Sequence, residues 1–277
     1  MPVTELLCEG NAHGPDVRLL SIILRGAGLA VTPSGGKDGF PNTVIAWRHS
    51  NPNVCAFKDN DFPRKPLGWV PHPVSKALEW QVKRDDGHHM VGWMWGRKEI
   101  ENYFIDPDVL ARAFGWDDAK KAGYLALLER IFDDLACATA ARMALTACAP
   151  LRNRVDTKVP LNDSPEELER HLTRIAHDHS TNTALDGQKL LDAFHQLLPQ
   201  CRRGGIFRDN ALMVFAGKNI LAKMQQMSGM DAALKDVDKL IERVLQSLKD
   251  DSAPHEWLLE CTAIREAVMT WSPAARQ

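Results

Sequence analysis

Two aspartates one residue apart, Asp59 and Asp61, close the stretch NVCAFKDNDF at positions 53–62. Val54 to Phe57 reads as a short buried strand. Side chains alternate along a strand, so the two aspartates face the same way if extended geometry carries on past its end. In an open α/β sheet the carboxyl ends of the strands border the ligand crevice. Two carboxylates on one side repel each other there unless a cation or a proton lies between them. Mg²⁺ favours such an oxygen-rich setting. The plainer reading is an exposed Asp-Asn-Asp turn, since these residues are common turn formers.

Other acids occupy equivalent points. A strand from Thr4 to Cys8 ends at Glu9-Gly10, and a strand from Met90 to Trp95 runs into GRKEIENYF, which carries Glu99 and Glu101. Parallel strands end on a shared edge, so Glu9, the Asp59/Asp61 pair and Glu99/Glu101 are expected to meet in space. That supply suffices for one or two ions able to clamp a phosphodiester. Asp16 follows Pro15 where a helix starts, a place that favours an acid for the dipole alone.

The positioning elements follow from periodicity. Val17, Leu19, Leu20, Ile23 and Leu24 predict a helix with Gly26 as its stop. Leu29 to Thr32 is a strand, and Asn42 caps a short helix through Trp47. The loop PSGGKDG lacks the spacing of a phosphate-cradling loop. Strand, helix, strand, helix, strand favours a parallel sheet flanked by helices.

Between Lys58 and Lys98 stand eight basic residues. Pro63, Pro66, Pro71 and Pro73 predict an irregular, exposed loop. Arg64, Lys65, Lys83 and Arg84 are its candidates for holding a phosphate backbone, set against an ordinary solvated loop. Trp93 and Trp95 read as core. From Asp106 the pattern is helical: a short helix from Pro107 to near Gly115, one or two over Lys120–Ala147, and one opened by the capping box at Ser164 and reaching about His177. Further helices are predicted over 184–198, 210–227, 231–248 and 255–269. The fold class is α/β, with a sheet domain over 1–105 and a mostly helical region over 106–277.

The bulk numbers narrow the class. The chain has 277 residues, 44% hydrophobic and 25% charged, with a net charge of −2. This is globular composition, and any phosphate affinity must be local. Six cysteines without a CxxC pair argue against a disulfide framework or zinc knuckle and fit a cytoplasmic location. The first residues lack a basic region and a long apolar core, so neither a secretory leader nor a membrane association is expected.

The acid-glycine after the first strand, the acid at the next helix start and the later DxD resemble the Toprim domain. The run RKEIENY followed by Asp106-Pro107 looks most like its overcoming-lysogenization-defect (OLD) nuclease branch and the standalone relatives acting in phage defence. The resemblance covers roughly residues 1–107. It implies Glu9 as a metal ligand or proton shuttle, and Asp59 and Asp61 as metal ligands. Asp16 matches the acid of the first motif, across a longer gap. Glu101 matches an acid that holds a second ion or orients a ligand, and Lys218 a lysine that steadies charge on the phosphate. It further implies Mg²⁺ or Mn²⁺ as cofactor and an endonuclease acting on DNA or RNA. The chain carries no Walker motif, so nucleotide hydrolysis would fall to a separate ABC-type ATPase; a homodimer is also compatible with the resemblance. Two other readings stand beside it: a catalytically silent Toprim-shaped protein that docks on such an ATPase, and a phosphatase of small phosphoesters.

Overall fold

A computed structural model describes residues 2–34, 39–63, 65–85, 87–149, 158–183, 185–227 and 231–273. The chain divides into two compact units. The first takes residues 1–60, 72–117 and 232–277, and the second takes 61–71 and 118–231. The expected boundary near residue 105 does not coincide with this division.

The first unit is built on a five-stranded sheet. Its elements are β1 (Glu5–Cys8), α1 (Pro15–Ile23), β2 (Ala30–Pro33), α2 (Phe40–Trp47), β3 (Val54–Lys58), β4 (Leu78–Arg84) and β5 (Gly87–Met94). The strand order is β2-β1-β3-β5-β4. β1 runs parallel to β2 and β3, and β3 parallel to β5, whereas β4 runs antiparallel to β5. The α/β class and the parallel sheet core are therefore as the sequence predicts.

β4 was not predicted. It lies within the stretch read as a basic loop, yet Leu78, Trp80 and Val82 alternate with Glu79, Gln81 and Lys83, the mark of a half-buried strand. Trp80 and Val82 pack on a core cluster of Leu7, Phe40, Val44, Val54, Ala56 and Val91. Phe40 meets Trp80 edge to face, with ring centroids 6.0 Å apart. Such a pair adds about 1 kcal/mol beyond burial. Leu6, Cys8, Cys55 and Phe57 point to the other face and are also buried.

After the sheet come α3 (Glu101–Phe104) and α4 (Pro107–Phe114). α4 has the predicted proline start and glycine stop, with Gly115 at φ 63°. The chain returns to this unit in α11 (Ala232–Lys235), α12 (Val237–Asp250), a 3₁₀ turn (Pro254–Trp257) and α13 (Leu259–Thr270). Arg18 forms a bidentate pair with Glu242. Arg265 Nη1 donates to Ile23 O at 2.9 Å, and Arg25 Nη2 to Lys249 O at 2.8 Å. These bonds dock the late helices onto α1.

The second unit is helical: α5 (Asp118–Cys148), α6 (Pro165–Thr183), α7 (Gly187–Cys201), α8 (Ile206–Asp209), α9 (Ala211–Val214) and α10 (Gly217–Gln226). The predicted capping box is formed, with Glu167 N donating to Ser164 Oγ at 3.3 Å and Ser164 N to Glu167 Oε2 at 2.8 Å. The single helix predicted over 210–227 is interrupted. Phe215 and Ala216 are extended, and the buried Phe215 ring lies 5.5 Å from Phe132. Burying that ring outweighs continuing the helix. No helix among the described residues is long and apolar enough to cross a membrane.

One close approach fixes the sheet. Gly92 pairs with Ala56, and a Cβ on Gly92 would stand 1.8 Å from Ala56 O. The register of β4 against β5 shifts beside this point, as strands do near a bulge. Gly92→Ala is expected to cost roughly 3 kcal/mol or more by overpacking backbone against backbone. Urea denaturation checks this: an unchanged midpoint would mean that β3 and β5 are not in contact there.

Candidate acidic site at the sheet edge

β1 and β3 pair in parallel with Cys8 beside Phe57, so both strands finish at one edge. Glu9 is the next residue after β1. Its amide donates to Phe57 O at 3.4 Å, and Gly10 then turns the chain at φ 101°. Only glycine takes that left-handed angle without strain. Asp59 is the first residue after β3. Asp16 sits in the first turn of α1, behind Pro15, where its Oδ1 accepts a hydrogen bond from Trp95 Nε1 at 3.0 Å.

These three acids act on the Cys8 thiol. Burial pushes its pKa far above the usual thiol value, and the charges of Asp16, Asp59 and Glu9 push it further in the same direction. Three carboxylates from separate points in the sequence thus bear on one sulfur at the edge of the sheet. Glu9 Oε2 is moreover buried and accepts no hydrogen bond. Leaving a buried carboxylate oxygen unsatisfied costs on the order of 1–3 kcal/mol.

The neighbouring loops are stitched to this edge. Trp95 N donates to Lys58 O at 3.0 Å, Asn60 Nδ2 to Gly96 O at 3.2 Å, and Lys98 Nζ to Asn60 O at 3.1 Å. The Lys98 side chain is buried, and Lys58 Nζ lies 4.8 Å from the Trp80 ring centroid. Two lysines therefore stand beside Asp59 in the sequence or through Asn60. Neither was singled out in the sequence, because eight scattered basic residues gave no reason to prefer them.

Arg97 is the anchor of the GRKEIENY segment. It is 6% exposed. Its Nε meets Glu260 Oε2 at 2.7 Å, its Nη1 meets Asp106 Oδ2 at 2.8 Å, and Nη1 also donates to Asn102 O at 2.9 Å. The Tyr103 ring centroid lies 4.9 Å from its guanidinium carbon, and Tyr103 Oη donates to Glu260 Oε1 at 3.4 Å. Burial alone would lower the arginine pKa, but Glu260 and Asp106 hold it above its ordinary value. Asp106 also caps α4, its Oδ1 accepting from Asp108 N at 2.8 Å and Val109 N at 3.2 Å. Asn102 Oδ1 accepts from Glu99 N at 3.1 Å. Arg97, Asn102, Tyr103 and Asp106 are thus scaffold. Glu99 and Glu101 are buried within the segment they hold.

No protein-family model matches the chain, and no curated protein matches it. The geometry of the residues is therefore what bears on their chemistry.

The remaining candidates are placed as follows. β3 ends at Lys58, so strand alternation does not extend to Asp59 and Asp61. Asp61 is exposed and opens the second unit's first segment, which also holds the exposed Lys65; Arg64 lies outside the described residues. Lys218 is exposed in the first turn of α10, also in the second unit. Lys83 and Arg84 end β4, where Arg84 pairs with Gly87 at the start of β5. Lys58 pairs with Met94 at the other end of β5. About 20 Å of strand separates the two ends at 3.3 Å per residue. Lys83 and Arg84 are therefore at the sheet edge opposite Glu9 and Asp59, contrary to the expected single basic track. Among the described residues no group of three or more His, Cys, Asp or Glu is set closely enough to enclose a metal ion. Mg²⁺ keeps several waters and needs only one or two carboxylates, so Glu9 and Asp59 with the orphaned Glu9 oxygen fit a largely hydrated ion.

Replacing Arg97 by methionine leaves Asp106 and Glu260 buried without their cation. A loss of about 3–5 kcal/mol is expected. Chemical denaturation of Arg97→Met measures it, and a loss under 1 kcal/mol would show that the pair is open to water.

Proposed function

We propose that the chain is a Mg²⁺- or Mn²⁺-dependent nuclease that hydrolyses phosphodiester bonds of DNA or RNA. The observation that supports this best is Glu9 Oε2, buried and unsatisfied just past the end of β1, with Asp59 just past the end of the paired parallel strand β3. A buried carboxylate oxygen without a hydrogen-bond donor suits a cation.

In this reading Glu9 and Asp59 hold the ion. When bound, it supplies a more acidic water and offsets charge developing on the phosphate. The alternative role for Glu9 is to accept the proton released by the attacking water, with its buried Oε2 free of other donors. Asp16 is engaged by Trp95 and chiefly fixes the start of α1. Lys98 and Lys58 favour an anionic substrate near Asp59. Glu101 takes its role, a further ion ligand, from the resemblance to OLD-type Toprim nucleases. The same resemblance suggests an effector of antiviral defence working with a separate ABC-type ATPase.

Glu9→Gln and Asp59→Asn are expected to lower Mn²⁺-dependent cleavage of a mixed DNA and RNA substrate pool by at least roughly a hundredfold, the scale of losing one electrostatic stabiliser. Full cleavage by both variants would sink the assignment. A second readout needs no substrate. Divalent ion at about a hundred times its dissociation constant should stabilise the wild-type protein by about 2.7 kcal/mol, and the variants by much less. Scanning calorimetry with and without Mn²⁺ makes the comparison; a wild type indifferent to millimolar ion with or without an ATPase would favour a silent docking protein. Turnover of a small phosphoester but of no polynucleotide would favour a phosphatase.

A further inference from the structure

At the amino-terminal edge of the sheet the first unit holds a cleft of about 270 Å³ lined by residues that include Arg48, Gln81, His88, His89, Trp271 and Ser272. Nothing in the hydrolytic reading uses it. Arg48 follows α2 and reaches under the strands. Its Nε donates to Val54 O at 2.9 Å, its Nη1 to Met90 O at 2.6 Å and its Nη2 to Cys55 Sγ at 3.4 Å. The Trp271 ring centroid lies 5.2 Å from the guanidinium carbon, and Trp271 Nε1 is itself fixed to Met90 Sδ at 2.9 Å.

These contacts hold the guanidinium rigidly, and none of the described partners brings a negative charge. Two backbone carbonyls, a thiol and an indole face are all neutral. A guanidinium carries five N–H donors, and the three bonds above leave two for another acceptor. Among the described residues the lining adds the His88 imidazole, the already engaged His89 imidazole and the Ser272 hydroxyl, and no carboxylate. Gln81 spends its amide on Glu79 at 3.1 Å, so it contributes little donor capacity. A half-buried, preorganised cation among further donors and beside an aromatic wall attracts a planar or tetrahedral oxyanion.

We infer that this cleft binds a small oxyanion ligand through Arg48, with His88 and His89 closing on it. Its size suits inorganic phosphate or the phosphate end of a mononucleotide, or a small carboxylate of like volume. The acids of the candidate hydrolytic site stand at the opposite strand ends, so the inference is independent of that reading.

The test uses the full chain in EDTA, carrying Glu9→Gln so that no hydrolysis intervenes. Inorganic phosphate, a nucleoside 5′-monophosphate and acetate are titrated separately at constant ionic strength by calorimetry. Saturable binding of at least one probe is expected, and the preferred probe distinguishes a phosphate source from a carboxylate. The double variant His88→Ala/His89→Ala changes half-buried or exposed side chains and should fold. It is expected to weaken binding by roughly tenfold or more, as loss of charge-assisted contacts does. Arg48→Lys, which keeps the charge but not the fork, should weaken it further. Absence of saturable binding by every probe overturns the inference, and so does binding unchanged in the histidine double variant.

Discussion

A single buried guanidinium holds the first unit together. Arg97 leaves β5 and is enclosed by Asp106 at the head of α4 and Glu260 in α13. A buried cation with two acids is costly to desolvate, and the geometry offsets that cost through several hydrogen bonds and the Tyr103 ring. Asp106 serves twice, one oxygen capping α4 and the other meeting the arginine. The segment from Gly96 to Asn102 is thereby pinned at both ends. Lys98 and Asn60 then transmit that fixed geometry to the loop that carries Asp59.

The acidic edge is the converse case. There Glu9 and Asp59 follow the ends of paired parallel strands, and Asp16 opens α1. Each owes its position to a different device: Glu9 to the end of β1 and the turn at Gly10, Asp16 to its bond with Trp95, Asp59 to the end of β3. The backbone frame sets where each of them stands. Such a frame is what a binding site needs before its ligand arrives.

The sequence carried much of this and concealed the rest for identifiable reasons. Glu9 and Asp59 were legible because an apolar run followed by an acid marks a strand end, and parallel topology then brings the ends together. The helix from Pro107 to Gly115 was legible from its caps. β4 was overlooked because its charged residues suggested a solvated loop, although Leu78, Trp80 and Val82 kept the two-residue period. The structural role of Arg97 was hidden because its partner Glu260 stands 163 positions away. Asn102, Tyr103 and Asp106 entered the sequence reading only within the run that carries the resemblance, and their side chains hold the scaffold. The opposite placement of Lys83 and Arg84 depends on the antiparallel turn of β4, which proximity in sequence does not reveal.

The first unit is assembled from pieces separated by the whole helical unit. A nascent chain therefore exposes the sheet strands and Arg97 long before α13 is made. Until then Arg97 has Asp106 but no Glu260, and one wall around Tyr103 is unfinished. Residues 118–231 are synthesised in between and can pack as a helical body while the sheet still waits. Folding during translation, at about 5–20 residues per second, would close the inserted unit first and the enclosing one last, leaving the five strands without their late helical cover as the stretch most in need of a chaperone.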